Sequence, residues 1–132
     1  LVKVTIDIEK DKTGQSRHYR YIVIDDPLPA GLVAINSSIK TEEVVPENDE
    51  DSYTEDGARV LVPSFQEIRD DRVLIFRDSN IWDGKYQYSY YARATTEGQF
   101  VLPSTKAQLM YSPQVMGLTP KSIVNIKASQ IR

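Results

Sequence analysis

The sequence predicts an all-β fold, an antiparallel immunoglobulin-like β-sandwich, on three observations. Apolar residues recur at period two along most of the chain, which is the spacing of a strand with one buried and one wet face. About seven to nine such runs are separated by Gly, Pro, Asp and Asn turn signals. No apolar stripe keeps the 3.6-residue helical period. A β-barrel is the alternative closure.

Val2, Val4, Ile6 and Ile8 alternate with Lys3, Thr5, Asp7 and Glu9, so the first strand is half-buried. A polar cluster from Asp11 to Gln15, with Gly14, predicts a turn, after which Tyr19, Tyr21 and Val23 interleave with Arg20, Ile22 and Ile24 as a second strand. Adjacency predicts that the two form a hairpin. Asp25 to Gly31 holds two prolines and a glycine and predicts a break, followed by a short strand at Leu32 to Ile35. Val60 to Val62 predicts another, and Ser64 to Phe76 a hairpin turning at Asp70-Asp71 rather than a short helix over Ser64 to Asp70. Lys85 to Thr96 is the longest run, with Tyr86, Tyr88, Tyr90, Ala92 and Ala94 on one face, and its length predicts a central position. Phe100 to Leu102, Ala107 to Tyr111 and Ser122 to Ala128 complete the set, punctuated by Pro103, Pro113, Gly117 and Pro120. Val4, Ile6, Ile75, Tyr88 and Tyr90 are the expected core.

A chain of 132 residues, 40% hydrophobic, fits one domain over 1–132. It opens without an initiator methionine inside a strand, which suggests a domain of a longer protein. Sixteen basic against 19 acidic residues provide no basic field for nucleic acid or for an anionic membrane. Eight of the acidic residues fall between Thr41 and Asp56, leaving 11 against 16 basic ones elsewhere, a net +5. That stretch predicts a solvated, mobile loop. With no cysteine there is neither a disulfide nor a thiol nucleophile, and the chain cannot form a thioester from its own residues. One histidine, His18, excludes sites needing two imidazoles; beside Arg17 and Arg20 it reads as solvated.

Other chemistry is sparse. Asp49, Asp51, Glu55 and Asp56 are hard oxygen donors that calcium favours, but they lack EF-hand spacing, and no metal or cofactor site is predicted. Glu67 with Asp70 or Asp71 offers paired carboxylates, which are equally ordinary turn residues, so no enzymatic activity is expected. Tyr86, Tyr88, Tyr90 and Tyr91 read either as core packing or as a carbohydrate-stacking platform. Asn36-Ser37-Ser38 matches a glycosylation sequon, a pattern common by chance.

Four strings occur in order: Asp26-Pro27-Leu28-Pro29-Ala30-Gly31-Leu32, Glu67-Ile68-Arg69-Asp70-Asp71-Arg72-Val73, Tyr90-Tyr91-Ala92-Arg93-Ala94-Thr95-Thr96 and Met110-Tyr111-Ser112-Pro113. Together they resemble the C-terminal macroglobulin-like domain of the bacterial alpha-2-macroglobulin family, the large extracellular alpha-helical proteins, from about Val2 to Ile126. The resemblance implies a non-catalytic macroglobulin-like sandwich in a protease inhibitor that acts as a trap. In such proteins a bait region is cut and a thioester in a separate domain captures the protease. It implies an intramolecular partner, the thioester domain, and target proteases met through the parent protein. It also implies a periplasmic or cell-surface location, with a lipoprotein anchor on the parent and no membrane contact by this domain. Met110 and Tyr111 would cover the thioester against water, with Pro113 stiffening the loop behind them. The residues add one constraint. Adjacent positions of a strand face opposite ways, so at most one of Met110 and Tyr111 fits in this domain's own core, and the other points outward or lies in an irregular loop. The alternative is a free-standing adhesion or carbohydrate- or protein-binding module.

Overall fold

The computed structural model describes residues 1–10, 19–35, 53–54, 57–81 and 84–127. The turn at Asp11 to Gln15, His18, the sequon and the acidic run with Asp49, Asp51, Glu55 and Asp56 lie outside them, apart from Tyr53 and Thr54. Eleven strands are present among the described residues, and no helix. They are β1 (Val2–Lys10), β2 (Ile22–Pro27), β3 (Leu32–Ala34), β4 (Arg59–Val60), β5 (Phe65–Ile68), β6 (Arg72–Arg77), β7 (Gly84–Ala94), β8 (Gly98–Leu102), β9 (Lys106–Leu109), β10 (Ser112–Leu118) and β11 (Ser122–Ile126).

The strands form two sheets and a ribbon. The first sheet runs β1-β7-β3, with β4 also on β7; the second runs β10-β9-β2-β6-β5; β8 and β11 pair alone. All pairings are antiparallel except β4 with β7. As expected, β7 is the longest strand and lies centrally, taking β1 along one side from Val2↔Ala92 to Lys10↔Gly84 and β3 and β4 along the other. Its buried face is Tyr86, Tyr88, Tyr90 and Ala92, while Ala94 at its end is exposed. These tyrosines meet Ile22, Ile24, Val73 and Ile75 of the second sheet. Ile6 and Ile75 are in the core as expected; Val4 is half-buried at its edge.

Three expectations are corrected. The first two strands do not form a hairpin, because β1 pairs with β7 whereas β2 pairs with β6 and β9 in the opposite sheet. The second strand starts at Ile22 rather than Tyr19 and continues through Asp25, Asp26 and Pro27, where turn residues predicted a break. Ladder pairing from Asp25↔Leu74 to Pro27↔Arg72 holds this segment extended. The third correction is β10, which spans Pro113 and Gly117 although both read as breakers. It is the edge strand of its sheet, so the missing proline donor leaves no ladder bond unmade.

The Asp70-Asp71 hairpin is present, with Phe65↔Phe76 through Ile68↔Val73 and a closing bond from Arg69 N–H to Arg72 C=O at 2.9 Å. Its turn holds the residues that lead into Pro29-Ala30-Gly31, since Leu28 N–H donates to Asp71 C=O at 2.8 Å and Arg72 reaches the Asp25 carboxylate at 3.0 Å. Gly31 C=O in turn accepts from Thr95 N–H at 2.9 Å. A Cβ at Gly31 would stand 2.6 Å from both Ile126 Cδ1 and Phe100 Cε2 of the ribbon. Gly31→Val is therefore expected to destabilise the protein by about 1–3 kcal/mol through overpacking. Denaturant titration checks this, and an unchanged midpoint would mean that the ribbon does not seat on this loop.

Burial of the tyrosine face has a second consequence. Burial pushes the Tyr88 phenol up to about 12, and it pushes Tyr90 up as well, where the Asp26 carboxylate adds to the effect. In the unfolded chain these phenols lose protons near 10. The native state thus holds protons that the unfolded state releases, and stability is kept below about pH 10 and lost as pH rises toward 12. Denaturant midpoints measured from pH 8 to 12 should fall over that upper range, and Tyr88→Phe should shallow the fall. A flat profile would contradict the burial.

Candidate functional site

The hairpin of β9 and β10 carries the fourth sequence string. Strand β9 ends at Leu109, which pairs with Ser112, so Met110 and Tyr111 are the two residues of the turn and not the end of a strand. The expectation of an extended run through Tyr111 is corrected by this turn. Both side chains lie outside the core, with Met110 44% and Tyr111 77% exposed. Two-residue hairpin turns ordinarily use Asn-Gly or Gly-X, because they need a positive φ. Neither Met110 nor Tyr111 has one. Turns of that kind splay the strands that follow. Here the pairing slips from Leu109↔Ser112 to Gln108↔Met116, leaving Pro113, Gln114 and Val115 in a bulge directly behind the turn.

Tyr21, just before β2, supports the turn. Its carbonyl accepts the Met110 N–H at 2.8 Å, and its ring meets the Tyr111 ring edge-on at 5.2 Å with planes at 84°. The Arg20 guanidinium lies 5.1 Å from the centre of the Tyr21 ring, and its Nε donates to Asp78 C=O at 3.2 Å. Tyr21 has φ +57°. A residue with a Cβ adopts that backbone at a cost of about 1–2 kcal/mol. Among the described residues it is the one non-glycine with a positive φ.

The other end of β9 is fixed too. Thr105, just before it, donates through Oγ1 to Asp26 Oδ1 at 2.6 Å, while Tyr90 Oη donates to Asp26 Oδ2 at 2.5 Å. Asp26 is buried, on β2, and Tyr90 is on β7 of the facing sheet, so this carboxylate pins the two sheets together and anchors the hairpin at its base. The four strings therefore divide between two places. Residues 26–32, 67–73 and 90–96 build a frame at one end of β2, and Met110-Tyr111 forms a tip at the other. A cleft of about 330 Å³ opens between β1 and the hairpin, with Ile6, Ile8, Ile22, Ile24, Leu109 and Met116 in its lining.

The remaining candidates do not assemble. Glu67 is paired with Arg69 at 2.9 Å and Asp71 lies 3.6 Å from Arg72, so these carboxylates serve local ion pairs. Tyr86, Tyr88 and Tyr90 are buried and only Tyr91 is exposed, which leaves no stacking platform. Among the described residues no group of three or more His, Asp or Glu converges to hold a metal, and no helix is long and apolar enough to cross a membrane. Tyr21 is the site residue that the sequence did not reveal, since a backbone angle leaves no mark in composition or period.

The profile of the bacterial alpha-2-macroglobulin MG10 domain matches residues 1–114. An alpha-2-macroglobulin homolog of a Nostoc species is 34% identical over 99 residues, covering 75% of the chain. An alpha-2-macroglobulin of Rickettsia conorii is 31% identical over 113 residues, covering 84%. The chain spans 5% of the length of each of these relatives. In fold it is similar to the crystal structure of native Escherichia coli alpha-2-macroglobulin from domain MG7 to the C-terminus, with a TM-score of 0.66 and 20% identity over 96% of this chain and 19% of that one.

Proposed function

Because the chain belongs to the bacterial alpha-2-macroglobulin family as an MG10 domain, we propose that it is a non-catalytic cover for a thioester borne by another domain of a parent protease inhibitor. On this reading residues 1–132 act as one macroglobulin-like unit. Its partner is the thioester domain of the same parent chain, and target proteases are met only through the whole protein. The parent works in the periplasm or at the cell surface, held there by a lipid anchor, and this domain itself touches neither membrane nor nucleic acid and needs no cofactor.

One observation carries the proposal: Met110 and Tyr111 both project from the domain at a hairpin tip anchored at each end of β9. A thioester persists only where water and amines are kept out. A polarizable methionine beside a flat aromatic ring makes a close-fitting apolar cover, and Pro113 in the bulge limits how the strand behind it can bend. Two adjacent apolar side chains held out at one tip are costly in water and are accounted for by a surface that buries them. Exposing the parent to methylamine and counting the thiols released tests the proposal. A parent that releases none contradicts it.

A further inference from the structure

We propose that Tyr21 is the positioning residue of the tip, setting the direction in which Met110 and Tyr111 point. This rests on the cover reading above and extends it to a residue outside the hairpin. Two contacts, one to each turn residue, converge on Tyr21: its carbonyl holds the Met110 amide at 2.8 Å and its ring stops the Tyr111 ring at 5.2 Å. A regular strand residue at the start of β2 would take extended dihedrals; Tyr21 instead has φ +57°, a conformation in which glycine or asparagine meets less resistance. Strain of that kind persists where surrounding contacts over-determine it, and here those contacts are the tip and the Arg20 guanidinium over the Tyr21 ring, itself tied to Asp78 C=O. Among the described residues the Tyr21 ring is the one aromatic ring packed on the Tyr111 side chain, which is otherwise 77% exposed.

The test compares Tyr21→Asn, which keeps a left-handed backbone at low cost and removes the ring, with Tyr21→Phe, which keeps the ring. The chain has two methionines, so methyl labelling gives one signal at the tip, Met110, and one control on β10, Met116. In Tyr21→Asn the Met110 methyl should become more mobile while Met116 stays as in the parent sequence and the denaturant midpoint is not lowered. Tyr21→Phe should match the parent sequence in both signals. In the longer protein, Tyr21→Asn should raise the methylamine rate about threefold, and Tyr21→Phe should restore it. Unchanged Met110 dynamics in Tyr21→Asn would overturn the positioning role. Altered Met110 dynamics with an unchanged methylamine rate, in Tyr21→Asn and after loss of Met110 and Tyr111 alike, would instead overturn the cover reading and leave the positioning role standing.

Discussion

Replacing Asp26 with alanine is expected to cost about 3 kcal/mol of stability, because each hydrogen bond to a charged group is worth about 1.5–3 kcal/mol and the buried Tyr90 hydroxyl is left unpaired. Two effects oppose each other at this site. Removing a buried carboxylate recovers part of its desolvation penalty, but its partners Tyr90 Oη and Thr105 Oγ1 lose their acceptor, and the phenol is buried away from solvent. Stranding the partner outweighs the recovery, since breaking one side of a buried polar pair is the costly case. Tyr90→Phe should cost less, about 2 kcal/mol, because Thr105 still serves the carboxylate. The double variant should cost little more than Asp26→Ala alone, giving a coupling of about 1–2 kcal/mol. Denaturant titration of the four proteins measures this cycle. Additive losses would mean that Asp26 does not join the sheets through Tyr90.

Asp26 also shows where the sequence was misleading. Asp25-Asp26-Pro27 carries turn chemistry, yet β2 continues through it, because ladder pairing and a buried acceptor for two hydroxyls outweigh local preference. Elements whose signals are local were legible: the alternation of β1, the tyrosine face of β7 and the Asp70-Asp71 hairpin. What failed was pairing. The strand patterns of β1 and β2 are those of hairpin partners, and nothing in either period says that β2 belongs to the opposite sheet. Pro113 hid β10 because proline signals a break in a central strand and is harmless at an edge.

The tip was legible only in part. Opposite-face geometry put at least one of Met110 and Tyr111 outside the core on the premise of an extended run; the run ends at Leu109, and it is the turn between Leu109 and Ser112 that places both outside it. Identifying them as a pair with a role came from resemblance to a family. Tyr21 remained hidden because its contribution, a strained backbone angle, a carbonyl and a ring set against Tyr111, depends on tertiary contacts that neither composition nor period records.

The central claim is that Met110 and Tyr111 keep water and amines from a thioester in the parent protein, and substituting both with alanine tests it most directly. Folding should be little affected, with a loss of about 1 kcal/mol, since what is removed is an exposed ring contact with Tyr21 and the partial burial of Met110, which is 44% exposed. Truncation of two core side chains would cost about 2–5 kcal/mol each, so the midpoint separates a cover from a core role. Methylamine should react with the variant about tenfold faster than with the parent sequence, equal to about 1.4 kcal/mol of lost protection, with free thiol appearing before any protease is added. A variant that folds normally and whose thioester lasts as long as in the unmodified protein would contradict the account.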